Sequence, residues 1–232
     1  MAMLLGLQLP AGLAVVRPLV QAYTAAAARH HSGHGDSSAA VAPETVWCEL
    51  TRDLTYGMLA TRFADAHAAA GMAATGGTCK TWLYRSDRHV IEAEQPHHSL
   101  ETSFTFGRFA ACKNSHVALT ACVGGQTVPL SPEDISEEAV ALEDDYIGYW
   151  AAFAWSGDPN GRPDGGEPRR RVVWRPRRVK GDDEAEATLV FGTPECRVAM
   201  GSDAMPGARV MWGFLEREGL LGAYEEAKGK IL

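Results

Sequence analysis

One stretch constrains the fold of this chain more than any other: Leu142 to Gly161, reading LEDDYIGYWAAFAWSGDPNG. Leu142, Tyr146, Tyr149 and Phe153 recur at helical spacing on one face, with Ile147, Trp150 and Ala154 beside them. A stripe of that bulk describes a helix buried against other elements. Gly157 is its stop, because glycine takes the left-handed conformation of a helix C-terminus without steric cost. Asp158-Pro159-Asn160-Gly161 then sets its residues as a type I turn prefers them. A buried aromatic helix ending at a sharp corner needs a surface to pack on, and the rest of the chain must supply it.

Those other elements can be placed along the sequence. Asp53 caps a helix running through Ala70, with Leu54, Met58, Leu59 and Phe63 spaced for one buried face and Gly71 as its stop. Such a cap is worth about 1 kcal/mol. Thr78 to Tyr84 follows Gly76-Gly77 and ends in three large apolar residues, as a buried strand of an α/β sheet would. Ser131-Pro132-Glu133-Asp134 offers a cap, a proline at the first helical position and early acidic charge, so a helical turn begins there. Thr188 to Phe191 reads as the last strand and Trp212 to Leu221 as a terminal amphipathic helix. Arg108 to Leu130, with Cys112, Cys122 and Gly124-Gly125, fits no element.

Upstream, Leu13 to Ala28 reads as an apolar helix starting near Pro18, and His30 to Ala42 as a loop rich in glycine, serine and histidine. The expected organisation is therefore residues 1–50 as an N-terminal helix and loop, and 51–232 as the main domain. The first 16 residues carry no charge, and Ala25-Ala26-Ala27 resembles a cleavage site. No positive charge precedes the apolar run, however, and Pro10 interrupts it, so a retained segment is favoured over a leader. Pro10, Arg17 and Pro18 also keep it below the roughly 20 apolar residues of a membrane span.

Composition narrows the classes. With 46% hydrophobic and 22% charged residues in 232, the chain is globular and long enough to bury about two-thirds or more of its unfolded surface. The net charge of -7 argues against nucleic acid as a general partner. The arginines at 169, 170, 171, 175, 177 and 178 are answered by Asp182, Asp183, Glu184 and Glu186, which favours a solvated, self-compensating loop over a basic patch. Cys48, Cys79, Cys112, Cys122 and Cys196 are odd in number and lack the paired spacing of a metal site. His30, His31, His34 and Asp36 cluster on a glycine-serine loop, which lacks the fixed geometry of a closed zinc site. A solvated loop is the preferred reading there, and no metal is expected.

The chemistry-bearing stretch is Glu94 to Gly107, EQPHHSLETSFTFG. Pro96 drives the preceding residue toward an extended shape, which puts His97 and His98 on a loop. An imidazole with an ordinary pKa near 6.5 can take and return a proton near neutral pH, as acyl transfer requires. Phe104 and Phe106 alternate up to Gly107 and anchor the loop.

His98-x-x-Glu101-x-x-Phe104-x-Phe106-Gly107 resembles the segment around the catalytic histidine of type B carboxylesterases and cholinesterases. The spacing to Phe104, Phe106 and Gly107 selects His98 over His97. Tyr149 to Gly161 resembles the family's aromatic helix and GDPN corner. Val173-Trp174-Arg175-Pro176 and Thr188-Leu189-Val190-Phe191 resemble its tryptophan-proline turn and closing strand. Thr51-Arg52-Asp53-Leu54 and Trp82-Leu83-Tyr84-Arg85 are similar to the helix and strand before the histidine. The resemblance runs from about Thr51 to the C-terminus. It departs at Ser99, where the family usually has glycine.

The resemblance implies the C-terminal part of an α/β-hydrolase, a mixed sheet flanked by helices and incomplete relative to the family. For a complete protein it implies hydrolysis of a small-molecule carboxylic ester through an acyl-serine, with His98 shuttling the proton and no metal or organic cofactor. Glu101 is a structural neighbour in the family, not the triad acid. The family order is serine, acid, histidine, and only 97 residues precede His98. The nucleophile, the oxyanion hole and the acid therefore belong farther upstream than this chain reaches, and the chain alone is expected to be inert. Gly35-Asp36-Ser37-Ser38-Ala39 is no substitute, since a nucleophile elbow needs a strand before it and a helix after it. A complementary N-terminal region is the expected partner. Two further classes stay open: a noncatalytic cholinesterase-like module that binds a partner, and a metal-binding module built on the histidine loop.

Overall fold

The computed structural model describes residues 20–21, 23–25, 43–87, 100–115, 117–123, 126–161, 171–177, 187–192, 196–200, 206–217, 219 and 222. They fall in two compact units, Met1–Phe63 with Met205–Leu232, and Ala64–Ala204.

Helix α1 (Pro43–Arg52) of the first unit runs through a π-helical turn (Asp53–Gly57) into α2 (Met58–Thr75), of which residues to Phe63 belong to the first unit and those from Ala64 to the second. Asp53 is therefore not a cap. Arg52 before it is already helical, and the Met58 N–H bonds the Asp53 carbonyl five residues back. The Asp53 side chain is 2% exposed and has a different task. It accepts from Arg52 Nε at 3.0 Å and from the buried Tyr23 hydroxyl at 3.1 Å. The Tyr23 proton is shared with the Gly207 carbonyl at 2.8 Å. Tyr23 lies in a helical stretch, Val20–Gln21 and Tyr23–Ala25, within the expected N-terminal helix. Helix α6 (Pro206–Arg217) starts earlier and ends earlier than the expected Trp212–Leu221, and buries Met211, Phe214 and Leu215. Arg62 stacks on the Trp212 ring at 3.8 Å. Of the face expected on α2, Met58 is buried but Phe63 is 74% exposed. Gly71 does not stop the helix: it continues to Thr75 and ends at Gly76 and Gly77, both at positive φ. Cys79 packs where a Gly71 side chain would begin, so that glycine answers a need for space.

The second unit is a mixed α/β arrangement. Its larger sheet has the order β1-β4-β5, from β1 (Tyr84–Ser86), β4 (Thr188–Phe191) and β5 (Arg197–Ala199). β1 runs parallel to β4 with Tyr84 opposite Leu189 and Ser86 opposite Phe191, while β5 is antiparallel to β4. All four residues of β4 are buried, as in a strand covered on both faces. The expected strand at Thr78–Tyr84 is shifted. Cys79 and Lys80 are exposed, Thr81 makes only an isolated bridge to Arg177, and the ladder begins at Tyr84. It continues through Arg85, which is buried because Asp87 takes its guanidinium. β5 was not anticipated, being three residues long with no alternation.

The stretch that fitted no element forms two short helices and a hairpin. Helix α3 (Leu100–Thr105) meets α4 (Arg108–Ser115) at Gly107, whose φ is 68°. β2 (Leu119–Val123) and β3 (Gln126–Leu130) then pair antiparallel. A single 3₁₀ turn (Pro132–Asp134) follows where a helical turn was expected, and Ser131 directs its N–H and hydroxyl to Asp134 Oδ2. Helix α5 (Glu137–Ser156) starts at Ser136, whose hydroxyl accepts the Ala139 N–H. It ends at Gly157, at φ 71°, which donates to the Phe153 carbonyl. Leu142, Tyr146 and Tyr149 are buried as expected. Phe153 is instead 49% exposed, meeting the edge of Trp82 at the last turn.

Candidate functional site

His98 and its neighbour His97 lie outside the described residues, as do Ser99, the cluster His30, His31, His34 and Asp36, and Ser37. What the structure gives is the frame on either side of the histidines: the end of β1 at Ser86–Asp87, and the start of α3 at Leu100. Asp87 N–H bonds the Phe191 carbonyl at 2.8 Å, so the chain leaves at the carboxyl end of a parallel strand pair. In open α/β sheets that is the end where ligands bind. Phe104 is fully buried in α3, but Phe106 is 78% exposed, so only one of the two expected anchors is in the core.

The frame is aromatic and dry. The Tyr146 ring is stacked between Phe104, 5.2 Å away, and Phe191, 3.8 Å away. Tyr84 stands edge-on to Trp150, Trp174 and Phe191. Burial, reinforced by the charge of Glu101, pushes the Tyr84 hydroxyl up to about 12. Burial also raises Tyr146 well above an ordinary phenol. Both hydroxyls therefore stay protonated through the neutral range and act as hydrogen-bond donors, not as bases. Both the Tyr146 hydroxyl and Ser86 Oγ are buried, and Ser86 pulls the Tyr146 value back down by less than burial raises it. Cys196 Sγ lies 3.6 Å from Asp145 Oδ2.

Sequence stretches far apart interlock in this frame. Trp174 donates Nε1–H to the Leu83 carbonyl at 3.1 Å and stacks on Trp150 at 5.5 Å. The side chain of Asn160, in the corner after α5, holds the Trp174 backbone at both ends: Oδ1 accepts its N–H at 2.7 Å and Nδ2 donates to its carbonyl at 2.9 Å. Tyr149 donates to the Val172 carbonyl. Replacing Asn160 by Ala removes both clamps from Trp174. We expect a loss of about 1–3 kcal/mol, read as a lower urea midpoint with unchanged slope.

Sequence reasoning passed over Glu143. It sits on the inward stripe of α5 between Ala139 and Tyr146, and an acid on an apolar stripe is a signal that it has a buried partner. It is 1% exposed, and its two oxygens accept the N–H groups of Phe109 at 2.7 Å and Ala110 at 2.8 Å.

Among the described residues no three His, Cys, Asp or Glu side chains form a group able to hold a metal ion. Nor is any described helix long and apolar enough to cross a membrane. No family model matches the chain, and neither does any curated protein.

Proposed function

We propose that this chain is the C-terminal portion of a serine esterase of the carboxylesterase and cholinesterase type, with His98 as the general acid and base. The observation that carries the reading is the interlock of the resembling stretches. The strand start at Leu83–Tyr84, the aromatic helix and its Asn160 corner, the Trp174 turn and the strand ending at Phe191 all meet in one ring cluster. Segments selected by motif alone had no reason to be neighbours. The parallel pairing of β1 with β4 adds support, since His98 follows the carboxyl end of β1.

The serine, the oxyanion hole and the triad acid belong to a complementary N-terminal region, and the substrate is a small carboxylic ester. Removing one triad member from such an enzyme can cost on the order of a millionfold in kcat. A chain that lacks two of the three, with the oxyanion hole, should show no measurable turnover. The test is hydrolysis of a short-chain aryl ester by the purified 232-residue chain beside its His98→Ala variant. No turnover in either is expected. Turnover that disappears in the variant would overturn the fragment reading and direct the search to an unrecognised nucleophile, beginning at Ser37.

A further inference from the structure

We propose that Glu143 is a proton-operated latch: ionised, it holds the first turn of α4 against α5, and protonated, it lets that turn go. The inference is independent of the esterase reading. Helix α4 begins after Gly107, a residue with no side-chain oxygen to satisfy the orphan N–H groups of a helix start. Glu143 supplies that oxygen from another helix. Each carboxylate oxygen accepts one N–H, from the buried Phe109 at 2.7 Å and from the half-buried Ala110 at 2.8 Å. A carboxylic acid holds the pair less well. The oxygen that carries the proton keeps a lone pair but accepts more weakly than a carboxylate oxygen, so one of the two amide bonds is weakened.

The surroundings leave the carboxylate without compensation. On α4, Arg108 is exposed and Lys113 is engaged by the Ile135 carbonyl and Glu137. On α3 the charged group is Glu101, and α5 itself adds Glu137, Glu138, Asp144 and Asp145, all acidic. Among the described residues Glu143 has no cationic partner. Burial raises its pKa from the ordinary 4.5, with the Asp144 charge in the same direction and the two N–H bonds opposing. The hinge is at hand: Gly107 sits at φ 68°, and Phe109 beyond it packs on Phe104 at 4.5 Å. Release of the turn uncovers this aromatic pair.

The sign of the linkage separates the latch from acid denaturation. With its folded pKa raised, Glu143 makes the folded state bind more protons, so its contribution to stability grows as pH falls toward 4.5 and is lost as pH rises through the folded value. Acid thus loosens this corner with the Glu143 carboxyl still buried on α5, where losing the two N–H bonds lifts its pKa further, while the group does not weaken the unit.

The experiment follows the Glu143 carboxyl carbon and amide-exchange protection by NMR, from about pH 7.5 to about pH 4, across its titration range. The Phe109 or Ala110 amide should lose protection by about tenfold or more, the worth of one ordinary hydrogen bond, with the midpoint of the Glu143 titration. Amides in the middle of α5, such as Tyr149, should keep theirs. In Glu143→Gln, whose amide offers one acceptor and one donor, the low protection should be present at every pH. A carboxyl that titrates with no change at either amide would overturn the latch, as would loss of protection throughout the unit together. If Glu143→Gln does not fold, the comparison of the two signals in the unaltered chain decides.

Discussion

Trp174→Ala should remove a large share of the stability of the Ala64–Ala204 unit. Its indole is 3% exposed and stacks flat on Trp150, with Tyr84, Tyr149 and Phe191 meeting it edge to face. Such pairs add stabilisation beyond the area they bury. Truncating a buried tryptophan to alanine costs about 3–5 kcal/mol, transfer and cavity together, and a domain of this kind has about 5–15 kcal/mol in all. The Leu83 carbonyl would keep its bond from the Leu189 N–H at 3.0 Å, so the loss comes mainly from packing. Trp174→Phe, which keeps a ring but not the Nε1–H donor, should fall between the two. Urea denaturation followed by circular dichroism measures all three, and a loss under about 1 kcal/mol for Trp174→Ala would show that the ring cluster is not the structural centre.

Gly207→Ala should be the most damaging single methyl group in the first unit. A Cβ at Gly207 would overlap Asp53 Oδ2 and stand 3.0 Å from Tyr23 Cε1. Neither neighbour can yield, because Asp53 is a short buried side chain held by Tyr23 and Arg52. Overpacking of this sort costs about 1–3 kcal/mol, and here it also threatens the hydrogen bonds of a buried carboxylate. Gly148→Ala is the control. There the overlap is with the guanidinium of Arg171, the far end of a long side chain that stands 5.1 Å from the Tyr149 ring centre, and moving it leaves a helix interior with alanine in place of glycine. That exchange is worth about 1 kcal/mol in propensity, which offsets the loss of the Arg171–Tyr149 contact, so Gly148→Ala should be close to neutral. Asp53→Ala should rescue Gly207→Ala in part. Additive losses in the double variant would mean that the two sites are not in contact.

What the sequence told of the fold was local. The α5 helix and its Gly157 stop were legible because periodicity and a left-handed cap are properties of adjacent residues. The start of β1 was not, because a partner strand a hundred residues away and the Arg85–Asp87 pair decide where the ladder begins. Phe104 and Phe106 suggest extended chain by their alternation, yet Phe104 closes a helical turn and Phe106 lies just past its end. Asp53 had the composition of a cap, but a tyrosine thirty residues earlier had already claimed it. At the candidate site the motif around His98 could be read, whereas the frame that flanks it could not. The Tyr146 stack, the Asn160 clamp and the Glu143 brace are all contacts between distant segments.

The π-helical turn at Asp53–Gly57 makes the length of that segment part of its information. An α-helix advances about 100° per residue, and on that count Gly57, seven residues after the buried Leu50, would fall on the stripe that Val46 and Leu50 begin. The wider turn absorbs one residue of rotation, and it is Met58 that arrives there, buried. Kept at the same length, a regular α-helix would present Gly57 to the core and turn Met58 away, whereas with one residue removed from the turn it would keep Met58 on the stripe. Here the chain counts: the extra residue is taken up by the turn and not by the buried face.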